Sequence, residues 1–335
     1  MGTVQFLESY RLSHTAVFEP ARLDRADLGL HVNSSFRIQP DDRVFVLGSC
    51  FAYELREVLS ARGFDVHGGE LGNKYNTFST NQAVTWALDG GYGEHLLVQL
   101  RDGTWFDGHR HPFRRHDVLE KAVEKHQEVL TQTADAIRTC DIAIFTLGLV
   151  EVWRDDRLGV WLNLTPPRDL VPDFERRYCV CRTTHAQNLE ALLATLRRVH
   201  AENPHARMLC TVSPVPLKAT FFGDDVTVSN MYSKATLRSV ATEAIERMAA
   251  ESSARVDYFP SYELAALRPR DEVWRRAFPN GEPDGRHVRA EFVRDVIIRL
   301  FLEHYLAQTD HRHSAERPPA CAAATTRVSD ASAAG

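Results

Sequence analysis

The sequence lacks any apolar run long enough to cross a membrane, and its first residues lack the basic, apolar and small-residue pattern of a secretory signal. It also lacks a strong charge of either sign, since 40 Lys and Arg stand against 45 Asp and Glu, a formal net charge of -5. This balance provides no electrostatic reason to bind nucleic acid or an anionic membrane. We therefore expect a cytoplasmic protein that has no nucleic-acid or membrane partner.

Cysteine is scarce as well, and the six cysteines follow no paired spacing. Cys179 and Cys181 alternate along one apparent strand and resemble half of a metal site, but no second pair at zinc-like spacing accompanies them. The histidines at positions 109, 111 and 116 fit a polar loop better than a ligand set. We expect reduced thiols, no metal and no cofactor.

The 335 residues divide into three parts by composition. Residues 1–40 mix aromatic and charged residues and are interpreted as an arm or cap. Residues 41–308 have the patterning of one large domain, and residues 309–335 are rich in Ala, Ser, Thr and Pro, which predicts a disordered tail.

Within the large domain, short apolar segments alternate with amphipathic ones. The apolar segments near residues 44, 64, 142, 206 and 256 predict strands, and the unbroken one at 142–147 is typical of a sheet covered on both faces. Together they predict an α/β fold, a doubly wound three-layer α/β/α domain with a central parallel sheet. Residues 90–116 lack clean periodicity and are predicted to be a loop insertion with a hairpin at 101–103.

Helices are predicted between these strands from apolar spacing and from stop signals. Ser79 or Thr80 is the expected N-cap of the second helix, which runs through Leu88, and Pro204 is expected to end the helix before the fourth strand. The other predicted helices cover residues 51–61, 117–139, 185–202, 234–251 and 289–306.

The stretch from Val44 to Leu59 changes from strand to helix at Gly48 and Ser49. A hydroxyl at such a corner lies at the carboxyl edge of a parallel sheet and faces the positive end of the next helix. The same edge is expected to gather residues 68–76, Gly148, Ser213 and Tyr262. This position favours negative charge, although a Gly-Ser pair is by itself more often an ordinary turn.

The five residues Gly48 to Ala52 read GSCFA, and further motifs follow along the chain. They are TLGLVEVW at 146–153, TVSPVPLKATF at 211–221, SNMYSKATLR at 229–238, YFPSYEL at 258–264 and DGRH at 284–287. These blocks and their order, across about residues 40 to 305, resemble the GSCFA family, which is similar to the SGNH (GDSL-like) hydrolases, a group of esterases, lipases and acyltransferases.

The resemblance implies that Ser49 is a nucleophile, His287 its general base and Asp284 the group that orients His287. A carboxylate and an imidazole three residues apart in a turn can lie side by side, so that one ring nitrogen faces the carboxylate and the other faces Ser49. The ordinary alternatives are an N-capping Asp284 and a His287 that has no role.

An oxyanion would be bound by the Ser49 N–H and by a donor from the loop of Gly72 and Asn76, the Gly72 N–H being the first choice. SGNH hydrolases add an Asn side chain in a Gly-x-Asn pattern, but Gly148 is followed by Leu149 and Val150. The third donor must come from elsewhere. Asn76 is the first candidate, followed by Asn73 and Asn230.

Three further residues near the predicted site have open roles. Glu151 is either a ligand for a substrate hydroxyl or amine or a solvated carboxylate in a hairpin. Lys234, placed at a predicted helix start where a cation is unfavourable, is expected to meet an anion such as the substrate or Glu151. Cys50 is expected to be a buried structural thiol rather than a nucleophile.

The sequence therefore predicts a serine-dependent hydrolase or acyltransferase acting on an O-acyl ester or thioester through an acyl-Ser49 intermediate. The substrate would be a small-molecule or glycan acyl ester, and an acyl donor or carrier protein is a further expected partner. The alternative is an inactive module that binds a glycan or a carrier protein in the same crevice.

Overall fold

The computed structural model describes residues 20–109, 115–278 and 280–307. The predicted tail and half of the predicted arm lie outside these residues, as does His111. Eleven strands are present in the described residues: β1 (Arg43–Gly48), β2 (Asp65–His67), β3 (Val98–Gln99), β4 (Trp105–Phe106), β5 (Arg115–His116), β6 (Ile142–Leu147), β7 (Glu151–Asp155), β8 (Val160–Leu162), β9 (Tyr178–Arg182), β10 (Arg207–Val212) and β11 (Val256–Tyr258).

Helices alternate with these strands. They are α1 (Cys50–Ala61), α2 (Thr77–Asp89), α3 (Leu119–Thr139), α4 (Phe174–Arg177), α5 (His185–Glu202), α6 (Val226–Glu251), α7 (Ser261–Ala266), α8 (Arg270–Val273), α9 (Ala290–Phe292) and α10 (Arg299–Tyr305), with a π-helical segment Val293–Ile298 joining the last two and short 3₁₀ turns at Pro20–Asp24 and Glu94–Leu96. In the described part of the chain, no helix is long and apolar enough to cross a membrane.

The central sheet has five parallel strands in the order β11-β10-β6-β1-β2. Gly48 of β1 and Thr211 of β10 both pair with Thr146 of β6. The carboxyl ends of the three middle strands therefore lie at one edge, next to the residues that follow each strand. The predicted doubly wound parallel sheet is confirmed.

Both faces of this sheet are covered, because side chains of successive strand residues point to opposite sides. Phe45 and Leu47 of β1 belong to a core that includes residues of α2, α3, α5 and α6. Val44 and Val46 belong to a second core with residues of α1, α7 and the C-terminal helices. The three-layer α/β/α architecture follows from these two cores.

Two small antiparallel sheets are inserted into this domain. The first, β3-β4-β5, occupies the predicted insertion, and the Leu100 N–H donates to the Thr104 carbonyl across the predicted hairpin turn. The second has the order β8-β7-β9. It contains the hairpin of β7 and β8, to which β9 adds a third strand.

Two predicted helix starts are wrong. The cap of α2 is Asn76, whose Oδ1 accepts from the Ser79 N–H at 2.7 Å, so the helix begins before Ser79. The sixth helix begins at Val226 rather than at Lys234, because Asp225 caps it by accepting from the Thr227 N–H. The first two turns of this helix expose apolar side chains, so the residues before Lys234 lack the amphipathic spacing that predicts a helix.

Candidate active site

Gly48 ends β1 where the backbone approaches β6 very closely. A Cβ at this position would lie 2.3 Å from the Thr146 carbonyl oxygen and 2.4 Å from Thr146 Oγ1. The Gly48 φ of +144° is also a conformation that other residues rarely adopt. The strand-to-helix corner therefore requires glycine.

Ser49 is the N-cap of α1 and is almost fully buried, with 2% of its surface exposed. Its N–H donates to the Thr146 carbonyl at 3.2 Å and to Thr146 Oγ1 at 2.8 Å. Its Oγ accepts from the Phe51 N–H at 3.3 Å and shares a hydrogen bond of 3.1 Å with Thr146 Oγ1. Ser49 is thus held between the end of β6 and the positive end of α1.

The turn before α9 brings Asp284 and His287 together. His287 Nδ1 lies 3.0 and 3.1 Å from the two carboxylate oxygens of Asp284. Asp284 Oδ1 also accepts from the backbone N–H groups of Arg286 and His287. Burial raises the pKa of the Asp284 carboxyl, but these two N–H groups and the His287 ring outweigh it and hold the pKa below its usual range. Asp284 is therefore ionised and orients the ring.

Ser49 and His287 line one cavity of about 430 Å³ at the carboxyl edge of the sheet. Asn76, Gly148 and Glu151, three of the other predicted site residues, line it too, whereas Gly72, Asn230 and Lys234 do not. Ser49 Oγ bonds to Thr146 and, among the described residues, makes no hydrogen bond to His287. Catalytic hydrogen bonds often form only when substrate is bound, so the shared cavity is the informative observation.

The two expected backbone donors for an oxyanion already have acceptors. The Gly72 N–H donates to the Gly69 carbonyl at 3.0 Å, and the Ser49 N–H donates to Thr146. In this conformation neither N–H points at an incoming oxyanion.

Two other donors at the cavity are less committed. Asn76 Nδ2 donates to the Leu162 carbonyl at 3.2 Å, which uses one of its two N–H bonds. The Gly148 N–H has no acceptor among the described residues. Along β6, the backbone groups of successive residues point alternately towards β1 and towards β10. Because the Leu147 carbonyl accepts from the Ser213 N–H on the β10 side, the Gly148 N–H points to the β1 side, where Ser49 lies.

Gly148 also joins two loops at this edge. A Cβ on Gly148 would lie 2.4 Å from the Tyr75 carbonyl oxygen and 3.4 Å from Ser49 Cβ. The Tyr75 carbonyl accepts from the Leu149 N–H at 2.9 Å. The absence of a side chain therefore lets the 72–76 loop pack against the end of β6.

Glu151 is buried rather than solvated, and protein groups use its carboxylate. It accepts from Thr220 Oγ1 at 2.7 Å and from the Phe221 N–H at 3.3 Å, and Arg182 lies 3.5 Å away. The interpretation as a solvated hairpin carboxylate is wrong. In this structure Glu151 anchors the segment that carries Phe221 over the cavity.

Lys234 lies inside α6, and its Nζ does not meet Glu151. It donates to the carbonyls of Gly148 at 2.7 Å and Val215 at 2.8 Å. Burial lowers the pKa of Lys234 to about 7, because no solvent stabilises its charge. The prediction that it sits at a helix start is wrong, and its role here is to join the end of β6 to the loop after β10.

Asn230 has a similar structural contact. Its Oδ1 accepts from the Leu217 N–H at 3.2 Å. Together with Lys234, it holds the 213–217 segment, which lines the cavity.

The Cys50 thiol has little nucleophilic character in this structure. Burial raises the pKa of the Cys50 thiol, although the charges of Arg286 and Lys234 oppose this effect. The sulfurs of Cys179 and Cys181 lie 3.8 Å apart on β9, as alternate strand residues do. Among the described residues, no three His, Cys, Asp or Glu side chains are grouped to hold a metal ion.

Sequence reasoning missed the roles of two residues, one that holds Ser49 and one that lines the cavity. Thr146 holds Ser49 through three hydrogen bonds, and its position at the end of an apolar strand was the available signal. Arg286 lines the cavity next to His287, and its place inside the DGRH block was the signal.

Comparison with solved structures finds an acetyl xylan esterase (Est2A) from the rumen bacterium Butyrivibrio proteoclasticus. The two proteins share 12% sequence identity at a TM-score of 0.33, and the match covers 81% of this chain and 64% of the esterase. The chain thus spans less than two thirds of that protein. No curated protein matches this sequence.

The family comparison covers most of the large domain. The model of the GSCFA family matches residues 43–301, from the first residue of β1 into α10. This range includes Ser49, the cavity and the Asp284–His287 pair. The chain belongs to the GSCFA family.

Proposed function

We propose that this protein is a serine-dependent hydrolase or acyltransferase that acts on an O-acyl ester or thioester through an acyl-Ser49 intermediate. One observation carries the proposal: Ser49 at a helix N-terminus shares a cavity with His287, whose Nδ1 is paired with Asp284. A nucleophile, a base and an orienting carboxylate are the components of acyl transfer.

The proposed reaction begins when His287 Nε2 accepts the Ser49 proton and Ser49 Oγ attacks the acyl carbon. Asp284 stabilises the imidazolium that forms, and the N-terminus of α1 favours the developing negative charge. His287 then gives the proton to the leaving alcohol or thiol. Water or a substrate hydroxyl takes the acyl group from Ser49 in the second half of the reaction.

The oxyanion donors in this proposal are the Gly148 N–H and the free N–H of Asn76 Nδ2. Both residues line the cavity beside Ser49, and neither donor is fully used within the described structure. Loss of one such donor typically lowers the rate by about 10²–10³. Asn76 also caps α2, so its replacement has a cost in stability as well.

The competing function is an inactive module that binds a glycan or a carrier protein in this cavity. The hydrogen bonds of the Ser49 and Gly72 N–H groups support this alternative, because each group already has an acceptor and neither is available to stabilise an oxyanion. O-acyl sugars are the proposed substrates of the enzyme, on the ground of the resemblance to the GSCFA family, which is often linked to polysaccharides.

A fluorophosphonate probe tests the proposal, with wild type, Ser49→Ala and the control Ser60→Ala on the outer part of α1. We expect labelling of wild type and of Ser60→Ala and none of Ser49→Ala. Folded wild type that resists the probe would favour the binding module. Mass measurement of an acyl adduct after incubation with ester donors then separates transfer from hydrolysis.

A further inference from the structure

Arg286 brings a positive charge to the cavity without a carboxylate to neutralise it. Its side chain is partly buried and lines the cavity together with Ser49 and His287. One guanidinium nitrogen donates to the Pro216 carbonyl at 3.0 Å. Among the described residues, no Asp or Glu forms an ion pair with this guanidinium, which makes it unlike most arginines of the chain.

The carboxylates near Arg286 are engaged by other groups. Asp284 accepts from His287, and Glu151 accepts from Thr220 and the Phe221 N–H and lies 3.5 Å from Arg182. Lys218, at the mouth of the cavity, is a second cation without an acidic partner in the described structure. Two cations without an ion-pair partner among the described residues therefore line the cavity.

The charge of Arg286 reaches the part of the cavity where Ser49 lies. Burial raises the pKa of Cys50 and of Tyr75, and the Arg286 charge opposes the rise at both groups. Both residues line the cavity, and Cys50 follows Ser49 directly. A group bound to Arg286 thus lies close to the proposed reaction centre.

Part of the cavity lining is apolar. Trp153 and Phe221 pack edge to face with ring centres 5.1 Å apart, and Leu162 and Leu217 also line the cavity. A ligand that complements both the apolar lining and Arg286 has an apolar body and one anionic group. The guanidinium has five N–H donors, and its contact with Pro216 leaves others for a carboxylate or phosphate.

We propose that Arg286 is a specificity-determining residue that binds a carboxylate or phosphate group carried by the ester substrate. This inference rests on the proposed function, since the anion would be held on a substrate of Ser49. Lys218 adds attraction at the mouth but does not define the position of the anion.

Calorimetric titration of the whole chain tests this site without requiring turnover. The probes are phenyl phosphate, benzoate and the neutral benzamide, and the variants are Arg286→Gln, Arg286→Lys and the control Arg294→Gln. Arg294 is an exposed arginine that pairs with Asp295 and does not line the cavity. Thermal unfolding of each variant shows that it is folded.

We expect wild type and Arg294→Gln to bind at least one anionic probe about tenfold or more tightly than benzamide, as charge-assisted hydrogen bonds would produce. Arg286→Gln should lose this preference and Arg286→Lys should keep part of it. Tighter binding of phenyl phosphate or of benzoate identifies which anion is preferred.

Equal binding of the anionic and neutral probes, no binding of any probe, or a preference that survives Arg286→Gln would overturn the inference. Labelling by the fluorophosphonate in the same preparations separates it from the proposed function. Labelling without anion preference would contradict the role of Arg286 and leave the proposed function standing. Anion preference without labelling would support an anion site at Arg286 and contradict the proposed hydrolase or acyltransferase.

Discussion

The two segments that meet at the cavity are held in different ways. Ser49 is 2% exposed and is bonded to Thr146 of the central sheet by its backbone and its side chain. The His287 side chain is 21% exposed, and its turn lies outside the central sheet. The turn is held by local contacts, such as the bonds from Arg275 N to His287 O and from Asp284 N to Arg276 O.

This difference indicates which part of the site can adjust. A residue inside a packed parallel sheet cannot move without disturbing both cores. A turn held by a few partly exposed hydrogen bonds opens at lower free energy. We therefore expect Ser49 to keep its position and the 284–287 turn to bring His287 to it when substrate binds.

The largest effect is expected at the turn, from Asp284→Asn. The amide oxygen can still accept the two backbone N–H groups, so the turn should fold, but it no longer stabilises the imidazolium. We expect the rate of ester turnover or of probe labelling to fall by about 10²–10⁴. Asp271→Asn, on the neighbouring α8, is the matched control. A rate within a few-fold of wild type would mean that another group orients the base.

At the strand-to-helix corner, Gly48→Ala should lower the stability of the fold as well as the activity. The new Cβ would meet the Thr146 backbone, and the φ of +144° adds strain. We expect a loss of roughly 2–4 kcal/mol in the free energy of unfolding, measured with urea. Gly223→Ala has a positive φ of +77° but open space, so it should cost only about 1 kcal/mol. Equal losses would show that crowding at Thr146 is unimportant.

Lys234 joins the end of β6 to the loop after β10, and its effect on stability should depend on pH. Its folded pKa of about 7 lies below the ordinary 10.5, so between these values the unfolded chain binds more protons. The free energy of unfolding of wild type should therefore rise with pH relative to that of Lys234→Met. The difference between the two should have a slope of up to about 1.4 kcal/mol per pH unit. Below pH 7 both states are protonated and the slope disappears.

Urea unfolding at several pH values between 6 and 10.5 measures this slope. Lys125→Met removes an exposed lysine and serves as the control. A flat difference between wild type and Lys234→Met would mean that Lys234 keeps its charge in the folded protein throughout this range.

The smallest effect is expected from Thr146→Val, which removes a hydroxyl but keeps the shape of the side chain. The Ser49 N–H retains the Thr146 carbonyl as acceptor, so the expected loss is about 1 kcal/mol in the free energy of unfolding. Thr146→Ser should be close to wild type. If Thr146→Val raises the labelling rate of Ser49, the Thr146 hydroxyl competes with His287 for Ser49 Oγ.

The strand-to-helix corner and the five strands were predictable from the sequence. Apolar runs such as Ile142–Leu147 and helical spacing such as His185–Glu202 are local patterns, and local patterns determine element type. The GSCFA and DGRH blocks indicated Ser49, Asp284 and His287 through the resemblance to a known family, and the topology of a parallel sheet predicted that the residues following its strands would be neighbours.

Only the tertiary structure decided which polar groups are already occupied. The Ser49 and Gly72 N–H groups have acceptors, Glu151 is buried among protein donors, and Lys234 holds two carbonyls. Such partners come from segments far apart in the chain, and a hydrogen bond depends on distances of a few tenths of an ångström. Local sequence patterns contain no information at that scale, which is why the corner was predictable and its donors were not.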